Sequence, residues 1–198
     1  LDSGPGFGGS CFKKDILNLV YLAEHFGLVE VANFWESVVD MNNWHQNRIS
    51  KIVIKKLFGT IYQKKIIILG FAFKANTNDT RESAAITICK NLLNEGANLL
   101  IYDPKVTALQ IENDLHKKST RSLKNDNSSF DEKSGAWEHT KSIDNLSIIN
   151  DAYAVLILTE WEEFRRLDWK EIAKRMIPPA WVFDSRSIVK TEEIYDSG

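Results

Sequence analysis

The apolar positions change period once along the chain, near Gly59, and the change divides it. The first ten residues are rich in glycine and polar residues. From Cys11 onward Ile16, Leu19, Val20 and Leu22 fall on one helical stripe, which predicts a helix closing near Gly27. A longer helical pattern runs from about Glu30 to Phe58, on Val31, Phe34, Trp35, Val38, Val39, Ile49, Ile52, Val53 and Leu57. Globular helices usually run to about 10–14 residues. A helix of this length is therefore expected to connect two domains or to pair with a second subunit.

Beyond Gly59 the pattern is that of buried strands. Lys64–Leu69 (KKIIIL) is a continuous β-branched run, as expected of a parallel strand covered on both faces. Glu82–Glu95 reads as a helix stopped by Gly96, and Asn98–Tyr102 as the next strand. A polar stretch at about 113–141 interrupts the alternation and reads as a mobile surface insert with no assignable role. A short helix near Asn145–Asp151, a strand at Ala154–Leu158, a helix at Trp169–Met176 and a strand at Ala180–Phe183 complete it. The expected class is α/β: a long central helix, then an open, doubly wound, mostly parallel Rossmann-like sheet. Residues 1–58 and 59–198 form the two units.

Composition narrows the functions. With 43% hydrophobic and 26% charged residues the chain reads as an ordinary globular protein. A net charge of -2, with lysine pairs scattered along the chain, argues against a nucleic-acid partner. No apolar run approaches the ~20 residues that span a bilayer, which argues against a membrane protein. The chain opens on Leu1, which reads as the interior of a longer protein or a processed start. Cys11 and Cys89 stand in different contexts, which fits free thiols in a reducing, cytoplasmic compartment. The four histidines show no metal-ligand spacing, so no metal is expected.

In a doubly wound sheet ligands bind beyond the carboxyl ends of the strands. Those ends carry Gly70–Lys74, Asp103–Pro104, Thr159–Trp161 and Asp184–Arg186. Lys74 and Arg186 suit phosphate, and Phe71, Phe73 and Trp161 offer aromatic faces for a nucleobase. Gly4–Gly9 does not have the spacing of a dinucleotide-binding fingerprint, and no strand precedes it here. Its glycines suit close approach of backbone to a ligand.

Cys11 follows this loop at a helix start, where the free N–H groups favour a thiolate. Asp15 lies one turn on, on the same face, so the pair could form a covalent adduct and activate a water to hydrolyse it. Taken alone, the spacing favours Cys11 as a small packing residue and Asp15 as a first-turn helix acid. Cys89, among Ile86, Ile88, Leu92 and Leu93, reads as core. Thr80 is placed to cap the helix predicted from Glu82. Arg81 opposes that helix's dipole and needs another reason to be there.

Five segments, in order, resemble the signatures of the UDP-glucose 6-dehydrogenases of the UDP-glucose/GDP-mannose dehydrogenase family. They are Gly6–Asp15 (GFGGSCFKKD), Gly70–Ser83 (GFAFKANTNDTRES), Tyr102–Pro104, Thr159–Trp161 and Phe183–Arg186. The resemblance implies a longer enzyme: an N-terminal NAD domain, a central dimerisation helix and a C-terminal UDP-sugar domain. This chain would hold the last two, with the catalytic loop in 1–58 and the sugar-nucleotide site in 59–198. It implies that Cys11 is the nucleophile and that Asp15 assists water and proton transfer. Gly4, Pro5, Gly6, Phe7 and Gly8 would line the sugar site, with Phe73, Lys74 and Arg186 on the UDP-sugar. Lys14 and Arg81 would face the NAD cofactor. The implied partners are a UDP-sugar and a second copy of the chain, as a homodimer or higher oligomer. GDP-mannose and UDP-N-acetylmannosamine dehydrogenases share this chemistry and stand as alternatives, as does a non-catalytic nucleotide-binding or dimerisation module. A cysteine hydrolase would need a histidine placed to activate Cys11, and none is.

Overall fold

In a computed structural model describing residues 3–116, 135–140 and 146–197, the change of period near Gly59 is the passage from helices to sheet. Helix α1 (Phe12–His25) turns at Phe26–Leu28 into α2 (Val29–Lys56), and the two fold back on each other. Val20, Ala23 and Ala32 form a small core between them, with Trp35 packed against it. Val53 and Leu57, at the other end of α2, belong instead to the main core under the sheet. One 28-residue helix thus serves two cores, which accounts for its length.

The face α2 buries is rotated from the expected stripe. Ala32, Val39, Asn42, Gln46, Ser50 and Val53 are buried, whereas Val31 and Phe34 are 43% and 61% exposed. Buried polar residues here replace apolar ones, which is why an apolar stripe misplaces the face.

Strands β1 (Lys65–Leu69), β2 (Asn98–Tyr102), β3 (Trp137–Thr140), β4 (Ala152–Ile157) and β5 (Trp181–Asp184) form one sheet in the order β3-β2-β1-β4-β5. Every neighbouring pair is parallel, and Ile67 stands opposite both Leu100 and Val155. Helices α3 (Ala84–Asn94), α4 (Ala108–His116), α5 (Trp169–Arg175) and α6 (Thr191–Tyr195) accompany it, with 3-10 turns at Leu146–Ile149 and Glu162–Arg166. The order reverses between β1 and β4, so the topological switch point lies beyond their carboxyl ends.

Three local expectations change. The helix predicted from Glu82 begins at Ala84, and Ser83, not Thr80, caps it by accepting from Ala85 N–H. The polar insert at about 113–141 begins inside α4, which buries Ile111 and Leu115, and its far end holds the edge strand β3. Residues 117–134 and 141–145 lie outside the described residues. Phe71 is fully buried and Trp161 nearly so; neither presents a face to a nucleobase.

Candidate functional site

The loop after β1 is anchored from beneath by Asp103, at the end of β2. Its Oδ2 accepts from the Phe71 and Ala72 N–H groups at 2.7 and 3.0 Å. Its Oδ1 accepts from Lys105 and Val106 N–H at 2.9 and 3.0 Å. From the β4 side the Thr159 hydroxyl donates to Ala72 O at 2.6 Å. Glu160 Oε1 accepts from Ala75 N–H at 3.0 Å. With its base fixed this way, the loop carries Phe73, Lys74 and Arg81 outward.

The glycine-rich segment lies between this loop and α2. Asn42 forms two hydrogen bonds with Phe7: Phe7 N–H donates to Oδ1 at 2.9 Å and Nδ2 donates to Phe7 O at 3.1 Å. His45 Nε2 is 3.1 Å from Gly4 O. Gly6 has φ +129°, and a Cβ there would sit 2.6 Å from Asn42 Oδ1. On the other side Gly9 N–H donates to Arg81 O at 2.8 Å. A Cβ on Gly8 would lie 2.5 Å from Glu82 O. Glu82 itself has φ +54°, a conformation a non-glycine residue keeps only when its surroundings impose it. Lys13 pairs with the Glu82 carboxylate and fastens the first turn of α1 to the same loop. Pro5 is buried within this packing.

Cys11 is the N-cap residue of α1 and is exposed, with Ser10 Oγ 3.6 Å from its sulfur. Asp15 N–H donates to Cys11 O at 2.8 Å, so the two side chains leave the helix one turn apart. Lys14 and Asp15 are exposed beside it. Cys89 is fully buried, and burial pushes its thiol far above the ordinary range.

The cations differ in how they are held. Lys74 is exposed, with Nζ 5.4 Å from the centroid of the Phe73 ring. Arg186 is enclosed: Nε donates to Leu158 O at 2.9 Å, Nη2 donates to Phe73 O at 3.0 Å, and Glu160 lies 3.2 Å away. A Cβ on Gly4 would meet its Nη1 at 2.9 Å, so the guanidinium lies directly against the glycine loop. Burial draws its pKa down, and the Glu160 carboxylate opposes that shift. Arg81 lies ahead of α3 and binds both oxygens of Asp79, with Nε–Oδ1 at 2.9 Å and Nη2–Oδ2 at 2.6 Å. The bond holds the Asp79 carboxyl below the usual range and raises the guanidinium.

A polar depression of about 690 Å³, lined by Asn78, Asp79, Thr80, Arg81, Gln110 and Asp114, opens beside Arg81. An apolar cavity of about 400 Å³ between α5, α6 and β5 contains none of the predicted site residues. Among the described residues no cluster of side chains could hold a metal ion, and no helix is long and apolar enough to cross a membrane.

Phe73, Arg81 and Arg186 therefore meet the glycine loop that leads into Cys11, with Asn42, His45 and Gln46 of α2 packed against it. Lys14, Asp15 and Lys74 are exposed, and no contact joins them to the loop among the described residues. The three α2 residues were not picked out from the sequence. Asn42 and Gln46 carried a signal, their four-residue spacing with Ser50 between Val39 and Val53; His45 carried none.

A five-stranded parallel sheet whose order reverses between β1 and β4 defines a doubly wound α/β protein, with a glycine loop and an exposed thiol packed beside the loop after β1. Residues 67–191 match the UDP binding domain of the UDP-glucose/GDP-mannose dehydrogenase family, and residues 1–44 match that family's central domain. The chain belongs to the UDP-glucose/GDP-mannose dehydrogenase family. It is 47% identical over 199 residues to the UDP-glucose 6-dehydrogenase of Drosophila melanogaster, covering 100% of this chain and 40% of that protein. It is 42% identical over 213 residues to UDP-glucose 6-dehydrogenase 4 of Arabidopsis thaliana, covering 100% of this chain and 41% of that protein. The chain thus spans about two-fifths of the length of these relatives. The structure of a UDP-glucose dehydrogenase from the hyperthermophilic archaeon Pyrobaculum islandicum aligns with a TM-score of 0.66 at 26% identity. That alignment covers 96% of this chain and 37% of the archaeal one.

Proposed function

We propose that the chain carries the catalytic loop and the UDP-sugar site of an NAD-dependent UDP-glucose 6-dehydrogenase, which oxidises UDP-glucose to UDP-glucuronate. The observation that carries the reading is Cys11, an exposed thiol at a helix start, fixed between a clamped glycine loop and the loop beyond β1. The relatives at 42–47% identity support it.

In this reading residues 59–198 bind the UDP-sugar, and residues 1–58 supply the catalytic loop and the dimer helix. Lys74, beside the Phe73 ring, meets the diphosphate by point charge. Arg186 acts mainly by holding Gly4 and Phe73 in place, with its Nη1 edge turned to the ligand loop. Gly4, Pro5, Gly6, Phe7 and Gly8 let backbone close on the sugar. The NAD domain belongs to the part of the enzyme beyond these residues. Lys14 and Arg81 fit a dinucleotide from this side, being exposed cations near Cys11, with Arg81 held in one orientation by Asp79. What bound NAD supplies is a hydride acceptor, used twice.

The Cys11 sulfur adds to C6 of the aldehyde, and the oxygen takes a proton to give a thiohemiacetal. Departure of hydride from that carbon to the acceptor, and of the hydroxyl proton to solvent, leaves a thioester. Asp15 then accepts a proton from water as the water oxygen attacks the thioester carbon; the C–S bond breaks and the thiolate returns. A free nucleophilic thiol suits a reducing compartment, and the same reading puts the enzyme in the cytoplasm.

The test is an assay of the enzyme carrying this chain and its cofactor domain, with UDP-glucose, UDP-N-acetylmannosamine and GDP-mannose. Two NADH per UDP-glucuronate are expected. Preference for another sugar nucleotide would reassign the substrate, and no oxidation of any would end the reading.

A further inference from the structure

We propose that Asn42 is a positioning residue for Cys11, acting through the backbone and ring of Phe7; the inference rests on the catalytic role proposed for Cys11. Asn42 is 7% exposed, on the buried face of a helix where an apolar residue would pack as well. Its amide is instead matched to both backbone polar groups of one residue 35 positions away: it accepts from Phe7 N–H at 2.9 Å and donates to Phe7 O at 3.1 Å. A buried amide held by two such bonds specifies a register, because any shift of the loop breaks both at once.

The contact continues to the thiol. With its backbone fixed, Phe7 places its ring edge-on against Phe12, at a centroid distance of 4.7 Å and an interplanar angle of 85°. Phe12 is the first residue of α1 and Cys11 is its N-cap. Asn42 therefore sets Phe7, Phe7 sets Phe12, and Phe12 sets where the helix starts and the sulfur points. Gly6 is part of the same device, since a Cβ there would meet Asn42 Oδ1 at 2.6 Å and push the clamp open. His45 and Gln46, at adjoining positions of α2, meet the loop backbone at Gly4 and Gly6 and keep it level.

The test uses two substitutions and two readouts. In the 198-residue chain, Asn42→Leu keeps the number and branching of the side-chain heavy atoms and removes both bonds. Amide exchange of Phe7 to Cys11 should then rise about tenfold or more, with the strands unchanged. In the enzyme with its cofactor domain, kcat should fall about tenfold or more while affinity for UDP stays within about twofold, the mark of a misplaced reacting group. Asn42→Asp separates positioning from mere packing. As a carboxylate it repels Phe7 O; protonated, it accepts and donates as the amide does. Its activity relative to the unsubstituted enzyme should recover as pH falls from about 8 to 6, since burial raises a carboxyl pKa, whereas that of Asn42→Leu stays flat. Should Asn42→Leu fail to fold, the pH profile of Asn42→Asp alone decides. Unchanged loop exchange, or unchanged kcat with faster exchange, or a flat Asn42→Asp profile, would overturn the proposal. An unsubstituted enzyme that oxidises no sugar nucleotide would instead refute the function on which it rests.

Discussion

The indole N–H of Trp161 donates to Asp103 Oδ2 at 3.1 Å, across 58 residues, joining the carboxyl ends of β4 and β2 on one buried oxygen. With the backbone donors described above, five N–H groups converge on this carboxylate, 3% exposed. The strand-end residues Asp103 and Trp161 are thus braces for the loop after β1. Asp103→Asn would turn an NH₂ group toward donors already there. It should cost about 3 kcal/mol, the range for losing hydrogen bonds to a buried charge, read as a lower chemical denaturation midpoint.

Lys74 and Arg186 should separate under substitution. Lys74 is exposed and its charge is free for a ligand, so Lys74→Ala should weaken UDP binding by about 1.5–3 kcal/mol at unchanged melting temperature. Arg186 is 14% exposed in its side chain and donates to two carbonyls, so Arg186→Ala should lower both melting temperature and affinity. Calorimetry with UDP checks the pair. Equal UDP affinity in both variants and the parent chain would remove them from the site.

Much of this site was legible in sequence because local chemistry marks it. Cys11 at a helix start, the cations after strands and the β-branched runs are all signals within a few residues. The roles of Asp103, Asn42 and Arg186 were not legible, because each depends on partners 31 to 113 residues away. Arg81 shows the boundary between the two. Its mismatch with a helix dipole was readable, but the reason, that the helix starts three residues later and Asp79 holds the guanidinium, needed the fold. Thr80 misled for the same reason, since its hydroxyl donates to the buried Asp114 on α4 and caps nothing.

The outward apolar residues of α2 give a test of the dimer expected from the helix's length. Val31, Phe34, Met41 and Trp44 follow helical spacing, are 43–62% exposed, and lie off the face that α2 buries. Pairing of two such faces about a two-fold axis would cover them. Light scattering should report a dimer at micromolar concentration, and Met41→Glu should shift it toward monomer with the far-UV spectrum unchanged. A monomeric parent chain at high micromolar concentration would count against this assembly.

Cys11 and Asp15 give the most discriminating prediction, because their substitutions stop the reaction at different points. Cys11→Ser keeps the size at the N-cap but offers a hydroxyl, a much poorer nucleophile near neutral pH. Turnover in the complete enzyme should fall by about three orders of magnitude or more, with UDP-glucose affinity near that of the parent. Asp15→Asn removes the proton acceptor and leaves the thiol, so oxidation proceeds to the thioester and hydrolysis lags. Rapid-quench mass spectrometry should then find the protein heavier by one UDP-sugar acyl group. The adduct should map to Cys11, since Cys89 is fully buried and its thiol is held neutral. Near-normal turnover in Cys11→Ser would end the covalent route. Slow turnover in Asp15→Asn without an adduct would keep Cys11 as nucleophile and move Asp15 to an earlier step.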